Sequence, residues 1–306
     1  MAHMALGLGV ALIATGWYWS DLRGFYDEAL QAASVFFFDS STPYTLHKAY
    51  AAAEEGGEKF KVLIVPGHDT VASGASFGGL SEASLTLAVA KELSADFAAN
   101  PVIEVRLART DAGYDQEIAR YFAEHRDDIL AYRALQTAQM RGYVASGDIV
   151  SNVIVDHNLA PGEVAIKLYG INKWANEQGY DLVLHLHFND VPRANRAAPG
   201  AYTGFSLYVP ERQFSNAKGS LAVAQSIQER MLELYNVSTL PQEGASPIED
   251  QGLIAIGSNN SLDASSVLIE YSYIYEPLVQ DHYLRSASIE DMARLTYLGV
   301  EDFLKK

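Results

Sequence analysis

The chain contains no cysteine. Disulfides and thiolate metal sites are therefore excluded, and histidine, aspartate and glutamate remain as its strong metal ligands. Positive charge is also scarce: 22 Lys and Arg stand against 38 Asp and Glu, a formal net charge of −16. With no basic stripe to neutralise phosphates, the composition argues against a nucleic-acid partner. The acids form no long block and read as a solvated acidic surface. Internal repeats and low-complexity tracts are absent. The N-terminal apolar run, Ala5 to Trp19, has only fifteen residues, whereas a spanning helix needs about 20. It ends in Trp17, Tyr18 and Trp19, and no Lys or Arg precedes it. Two readings stay open. One is a signal-anchor shortened at its start, with the aromatics as an interfacial belt and a membrane tether as the consequence. The other is an N-terminal helix docked on the domain. Residues 1–4, Met-Ala-His-Met, read as an expression scar.

What is present is ample for a globular protein: 306 residues, 49% hydrophobic and 20% charged. Residues 5–60 read as the apolar helix followed by helix and linker, with helical patterns over Leu22–Phe38 and Leu46–Glu55. From Lys61 strands and helices alternate. Strands are expected at Lys61–Val65, Val102–Leu107, Tyr180–Leu186, Tyr202–Val209, Leu253–Ile256 and Ser266–Ile269. Helices are expected at Ser81–Ala98, Val164–Gln178, Ser215–Tyr235 and Ile289–Leu304. Such alternation predicts an α/β fold, a three-layer αβα arrangement with a mostly parallel or mixed central sheet. Residues 114–163 interrupt the rhythm of the 61–306 domain as an insertion, with one long helical pattern over Asp115–Tyr143.

In open α/β sheets, ligands gather beyond the carboxyl ends of the strands. His68 follows one strand, His187 lies near the end of another, and Glu270 ends a third hydrophobic segment, SSVLIEYSY. Glu82 opens the helix after the glycine-rich loop that separates it from His68. Taken alone, Glu82 is explained by the positive end of its helix, with Ser81 as N-cap, and His68 as a loop residue. His187, within LVLHLHFND, is harder to dismiss, because a buried imidazole needs a hydrogen-bonded or metal partner. The loop lacks the lysine of a phosphate cradle. Two imidazoles and a carboxylate together suit a catalytic zinc with one open position. His185 points to the same strand face as His187 and is expected to orient the site rather than ligate. Asp69, Asn189 and Asp190 are further candidates to orient an imidazole through its other nitrogen, against the plainer reading of loop polar groups facing solvent.

PGHD, the helix-borne Glu82, HLHFND and VLIEYSY, with Arg109-Thr110-Asp111 between them, resemble in order and spacing the zinc-dependent N-acetylmuramoyl-L-alanine amidases of the Amidase_3 type. The resemblance covers roughly Lys61 to Leu304. It implies His68, Glu82 and His187 as zinc ligands and Glu270 as catalytic acid/base. The implied reaction is hydrolysis of the bond between the lactyl group of N-acetylmuramic acid and L-alanine in peptidoglycan. The expected setting is outside the cytoplasm, in the periplasm or cell envelope.

Three departures stand out. His185 occupies a position where the family has a small residue, and Phe188 replaces the alanine after the third ligand and is expected to alter the groove floor. The insertion 114–163 precedes the third ligand, and a lid or an arm that binds an activator or regulator is one reading of it. Packed decoration is the other. Two alternatives to the amidase remain at this point: another zinc amidohydrolase or carboxypeptidase, and an inactive wall-binding or regulatory module. No wall-binding repeat is appended to this chain, so targeting falls to the N-terminal segment or a partner.

Overall fold

The computed structural model describes residues 39–151 and 162–306. The scar at 1–4, the apolar run at 5–19, the Leu22–Phe38 helical pattern and the 152–161 part of the insertion lie outside them. The compact unit runs from Asp39 to Lys306. It therefore takes in helix α1 (Pro43–Glu54), which begins three residues before the helical pattern expected over Leu46–Glu55. Thr42 starts that helix through a reciprocal capping box with Thr45, with proline at the first turn.

In chain order there follow β1 (Phe60–Pro66), a small hairpin β2 (Ser76–Phe77) and β3 (Leu80–Ser81), and α2 (Glu82–Ala98). Next come β4 (Ile103–Leu107), a second hairpin β5 (Arg109–Thr110) and β6 (Gly113–Tyr114), then α3 (Gln116–Glu124), α4 (Arg126–Ser146) and α5 (Gly162–Gln178). The remainder is β7 (Leu182–Asn189), β8 (Ser206–Pro210), α6 (Ala217–Met231), β9 (Ile248–Asp250), β10 (Ser265–Tyr273), α7 (Pro277–Gln280) and α8 (His282–Leu304).

Six strands form the central sheet in the order β4-β1-β7-β10-β8-β9. β4, β1, β7 and β10 run parallel, β8 is antiparallel to β10, and β9 is parallel to β8. The sheet is mixed, as expected. Its strands are apolar on both faces because both are covered. Along β1, Val62 and Ile64 enter one core cluster with α1, α2, α6 and α8, while Leu63 and Val65 enter a second with α3, α4 and α5. The period-2 alternation of a strand thus feeds two cores. In α2, Leu85, Val89, Leu93 and Phe97 recur along one buried face. Truncating a fully buried leucine such as Leu93 to alanine is expected to cost about 2–5 kcal/mol.

Three element predictions need correction. The Asp115–Tyr143 pattern is two helices that break at His125. The break lets Ile118 and Tyr121 of α3 and Ile129 of α4 enter the same cluster. Leu253–Ile256 is a buried turn, not a strand. Asp250 Oδ1 accepts from the Gly252 and Leu253 amides at 2.6 and 2.8 Å, and the edge strand forms just upstream as β9. The strand expected at Tyr202–Val209 begins only at Ser206.

Candidate active site

Chain geometry at the carboxyl edge of β1, β7 and β10 explains why the chemistry converges there. Beyond β1 the Gly67 amide donates to the Leu186 carbonyl of β7 at 2.8 Å. The chain therefore leaves the sheet beside His187. His68 has φ of +62°, a left-handed conformation uncommon for a residue with a Cβ, and such strain tends to gather at functional sites. The loop folds back so that the Glu82 amide reaches the Ala75 carbonyl at 2.8 Å. Ser81 caps α2 through the Ser84 amide. Glu82 therefore sits at a helix N-terminus and at the site at once.

The Glu82 carboxylate is the hub. Its Oε1 lies 2.9 Å from His187 Nδ1 and its Oε2 lies 3.1 Å from His68 Nε2. Backbone amides serve the same oxygens: Ala75 donates to Oε2 at 2.9 Å and Phe188 to Oε1 at 3.2 Å. Burial opposes the charge on Glu82, but hydrogen bonds from His187 and His68 outweigh it and hold the carboxyl well below the usual carboxylate range. For His68 burial works against protonation, yet the adjacent Glu82 raises its pKa overall. Among the described residues, His68, Glu82 and His187 form the one group of three such side chains able to share an ion, with donor atoms within 4.8 Å of one another.

Two glycines keep this space open. A Cβ on Gly67 would lie 2.4 Å from His187 Cε1, and one on Gly74 would lie 2.4 Å from Glu82 Oε2 and 2.5 Å from His68 Cδ2. Gly74 also has φ of +71°, which glycine adopts without penalty. Two imidazole nitrogens, one carboxylate and a cradle free of side chains fit a zinc ion with an open coordination position.

Glu270 is the register partner of His187 on β10. Its neighbour Leu268 belongs to the small cluster with Ala255 and Ile256, whereas Ile269 and Tyr271 join the opposite core. Glu270 therefore projects from the same sheet face as His187. Its Oε2 is buried without a hydrogen-bond partner. Burial, then the charges of Glu82 and Glu243, push its carboxyl well above the ordinary carboxylate range.

The flanking candidates behave differently from expectation. Asp69 orients no imidazole. Its Oδ1 accepts from the Val71 and Ala72 amides at 2.8 and 2.7 Å, and its Oδ2 pairs with Lys167 Nζ at 2.6 Å. It is a buried staple of the loop rather than a solvent-facing acid. Asp190 is bound instead to Arg193 and to the Val191 amide. Asn189 gives its amide to Glu243 at 2.7 Å. His185 lies one strand repeat before His187, outside the metal-competent group and fully buried, with Nε2 unpartnered among the described residues. Burial, and to a lesser degree His187, lower its pKa to about 3, so it is a neutral imidazole under the site. Phe188 packs in the opposite core against Tyr271 and forms no groove floor.

Two groups near the site, the buried Glu243 and the half-buried Lys167, escaped the sequence reading. Glu243, in the loop before β9, accepts from Asn189, from Tyr208 at 2.8 Å and from Tyr273 at 2.9 Å. No periodic pattern marks its position. Lys167 of α5 also stands over the Tyr114 ring at 5.1 Å, and only the fold brings it to Asp69. Arg109, flagged earlier only within a motif, is buried and donates to the Ala83 carbonyl at 2.8 Å and the Gly67 carbonyl at 3.3 Å. It ties the His68 loop to the start of α2.

Solved structures similar to this one include an N-acetylmuramoyl-L-alanine amidase from Clostridium difficile 630, at 16% identity and a TM-score of 0.52, with 82% of this chain and 99% of that chain covered. AmiC2 of Nostoc punctiforme aligns at 16% identity and a TM-score of 0.51, covering 82% and 99%. The CwlD amidase of Clostridioides difficile, in complex with the GerS lipoprotein, aligns at 15% identity and a TM-score of 0.52, covering 81% and 99%. At these identities the likeness is one of fold. No curated protein matches the chain. The sequence profile described as N-acetylmuramoyl-L-alanine amidase, Amidase_3, matches residues 62–302, nearly all of the compact unit. The chain thus belongs to the Amidase_3 family of N-acetylmuramoyl-L-alanine amidases, enzymes that hydrolyse the amide between N-acetylmuramic acid and L-alanine in peptidoglycan.

Proposed function

We propose that His68, Glu82 and His187 hold a zinc ion and that Glu270 carries the proton in hydrolysis of the muramoyl–alanine amide. The observation that supports this most is the convergence of three donor atoms within 4.8 Å beside a carboxylate with an unpartnered buried oxygen. Bound zinc supplies a Lewis acid for the amide carbonyl and lowers the pKa of water from ~15.7 to about 7. Glu82 offsets part of the ionic charge, and its two backbone hydrogen bonds hold its orientation. Glu270 accepts a proton from the attacking water and delivers it to the departing amine of L-alanine. Burial and the neighbouring carboxylates push the Glu270 carboxyl upward, so it holds a proton more readily than an ordinary carboxylate, which suits delivery to the departing amine.

The test is Glu270→Gln, assayed on purified sacculi with mass analysis of the products. Stoichiometric zinc with lost release of intact stem peptides supports both assignments. Unchanged turnover refutes the role of Glu270, and a wild-type protein without zinc refutes the metal. Products trimmed within the peptide would instead indicate a carboxypeptidase.

The substrate bond lies in the cell wall, so the enzyme acts outside the cytoplasm. Placement in the periplasm or envelope and a tether at residues 5–19 extend this reading. No helix of the described residues is long and apolar enough to cross a membrane. Cell fractionation of the chain with and without residues 5–19 tests the tether. For 114–163, packing of α3 and α4 into the second core cluster supports a buttress for α5 and its Lys167. A regulator on this arm has in its favour that the similar CwlD structure contains a lipoprotein partner. Polar substitution of the exposed α4 residues Leu130 and Leu135 tests it: unchanged wall hydrolysis in cells removes the regulator.

A further inference from the structure

A cleft of about 1100 Å³ adjoins the metal-competent group, between the β2–β3 hairpin and the loop at 190–197. Its hairpin wall includes Gly74, Ala75, Phe77 and Gly79, and its opposite wall includes Arg193 and Arg196. Gly74 and Ala75 also touch the centre: the Ala75 amide donates to Glu82 at 2.9 Å, and a Cβ on Gly74 would meet Glu82 and His68. The cleft and the metal-competent group thus share this stretch of loop.

Its cationic wall is built, not incidental. The Arg193 side chain is 9% exposed and bound to Asp190. Its guanidinium lies over the rings of Tyr275 at 4.8 Å and Phe77 at 5.5 Å. Its Nη2 reaches the Arg196 carbonyl at 3.4 Å, while its buried Nε has no hydrogen-bond partner. Arg193 thus clamps the loop onto two aromatics, and Arg196 is presented from that anchored loop. Arg196 is exposed, lines the cleft and forms no ion pair among the described residues. On a chain of net charge −16, the field at long range repels anions. An unpaired guanidinium on the wall of this cleft is the local exception, and its planar fork matches a carboxylate.

We propose that this cleft is a subsite for the peptide on the leaving-group side of the scissile amide, and that Arg196 recognises a free carboxylate on it within a residue or two of the alanine. The proposal deepens the amidase function and rests on it. Arg193 acts as a positioning residue that fixes the loop.

The experiment is calorimetric titration of the full chain with N-acetyl-L-alanyl-glutamate amide and with N-acetyl-L-alanyl-glutamine amide, which differ by one charge. The acid is expected to bind about tenfold more tightly, the scale of one charge-assisted hydrogen bond. Arg196→Gln should erase the difference, and Arg120→Gln on α3, which alters net charge equally, should retain it. Equal binding of both peptides to the wild type overturns the proposal. So does a preference that persists in Arg196→Gln, which would point to the metal or another cation as the receptor. The titration needs no turnover. An inactive chain that still prefers the acid refutes the amidase function and keeps the carboxylate site, whereas an active one without the preference refutes the subsite alone.

Discussion

Glu270 and His187 are register partners on adjacent parallel strands, β10 and β7. Two side chains more than eighty residues apart in sequence are thereby held on one face of the sheet by backbone hydrogen bonds alone. Glu82 then bonds His187 from a helix start, joining strand and helix at one carboxylate. Sites mounted on regular elements hold geometry better than sites on loops, and here only His68 depends on a loop.

This division predicts different losses for the two neighbours. His187→Ala should abolish both zinc binding and hydrolysis. Glu270→Gln should retain zinc while activity falls by about 10²- to 10⁴-fold, the usual contribution of a positioned proton carrier. Metal analysis and sacculus hydrolysis on the same preparations check both.

Gly67→Ala is expected to reduce zinc affinity at little loss of secondary structure. The new methyl would meet the His187 ring at 2.4 Å, so the imidazole must turn away from Glu82. Isothermal titration with zinc, alongside circular dichroism, separates a displaced ligand from a misfolded chain. Undiminished zinc affinity would contradict the cradle.

Asp69 ties stability to pH. Burial opposes its charge, but Lys167 and two backbone amides lower its pKa from 3.8 to about 2. A carboxyl depressed in the folded state adds stability above its unfolded pKa and loses it as pH falls toward the folded value. The contribution, about 2 kcal/mol, should be present at neutral pH and disappear between roughly pH 4 and 2. Asp69→Asn should lower stability at pH 7 by about that amount and flatten the acid limb of the denaturation midpoint. An unchanged acid limb in this variant would show that Asp69 is not the titrating group.

Glu243 sets the working range of Glu270. Its charge is one of the three causes that raise the Glu270 pKa, after burial and Glu82. Glu243→Gln removes that repulsion, so Glu270 should stay ionised to lower pH. The acid limb of kcat/KM is then expected to move downward, with zinc content unchanged. A pH profile of the variant checks the direction. A limb that stays put or moves upward would mean that the hydrogen bonds from Asn189, Tyr208 and Tyr273, rather than the charge, are what Glu243 contributes.

The residues of the candidate centre stood out in the sequence because they are types that are hard to place otherwise. A histidine inside the apolar segment LVLHLHFND and a glutamate ending SSVLIEYSY must find partners or a metal. The absence of cysteine reduced the ligand choices to few. The buried strands, and the helix from Ser81, were legible for the same reason: long apolar periodicity and an N-cap are local signals. The flanking residues were not. Asp69 adjoins His68 in sequence, yet its partner Lys167 is brought to it by chain reversal, whereas Asp190 turns to Arg193, three residues on in the same loop. Adjacency along a strand end says nothing about which way a loop side chain turns.

What the sequence by itself determined is the α/β alternation, the donor types at His68, Glu82, His187 and Glu270, and the family to which their order belongs. Only the tertiary structure decided how those donors are held. It showed that Glu82 links both imidazoles, that Gly67 and Gly74 leave no room for a side chain around them, and that His185 lies buried beneath them. Residue type and periodicity are properties of a segment. The distance between a loop, a helix start and two strands depends on strand register and packing, which are set by contacts far apart in the chain.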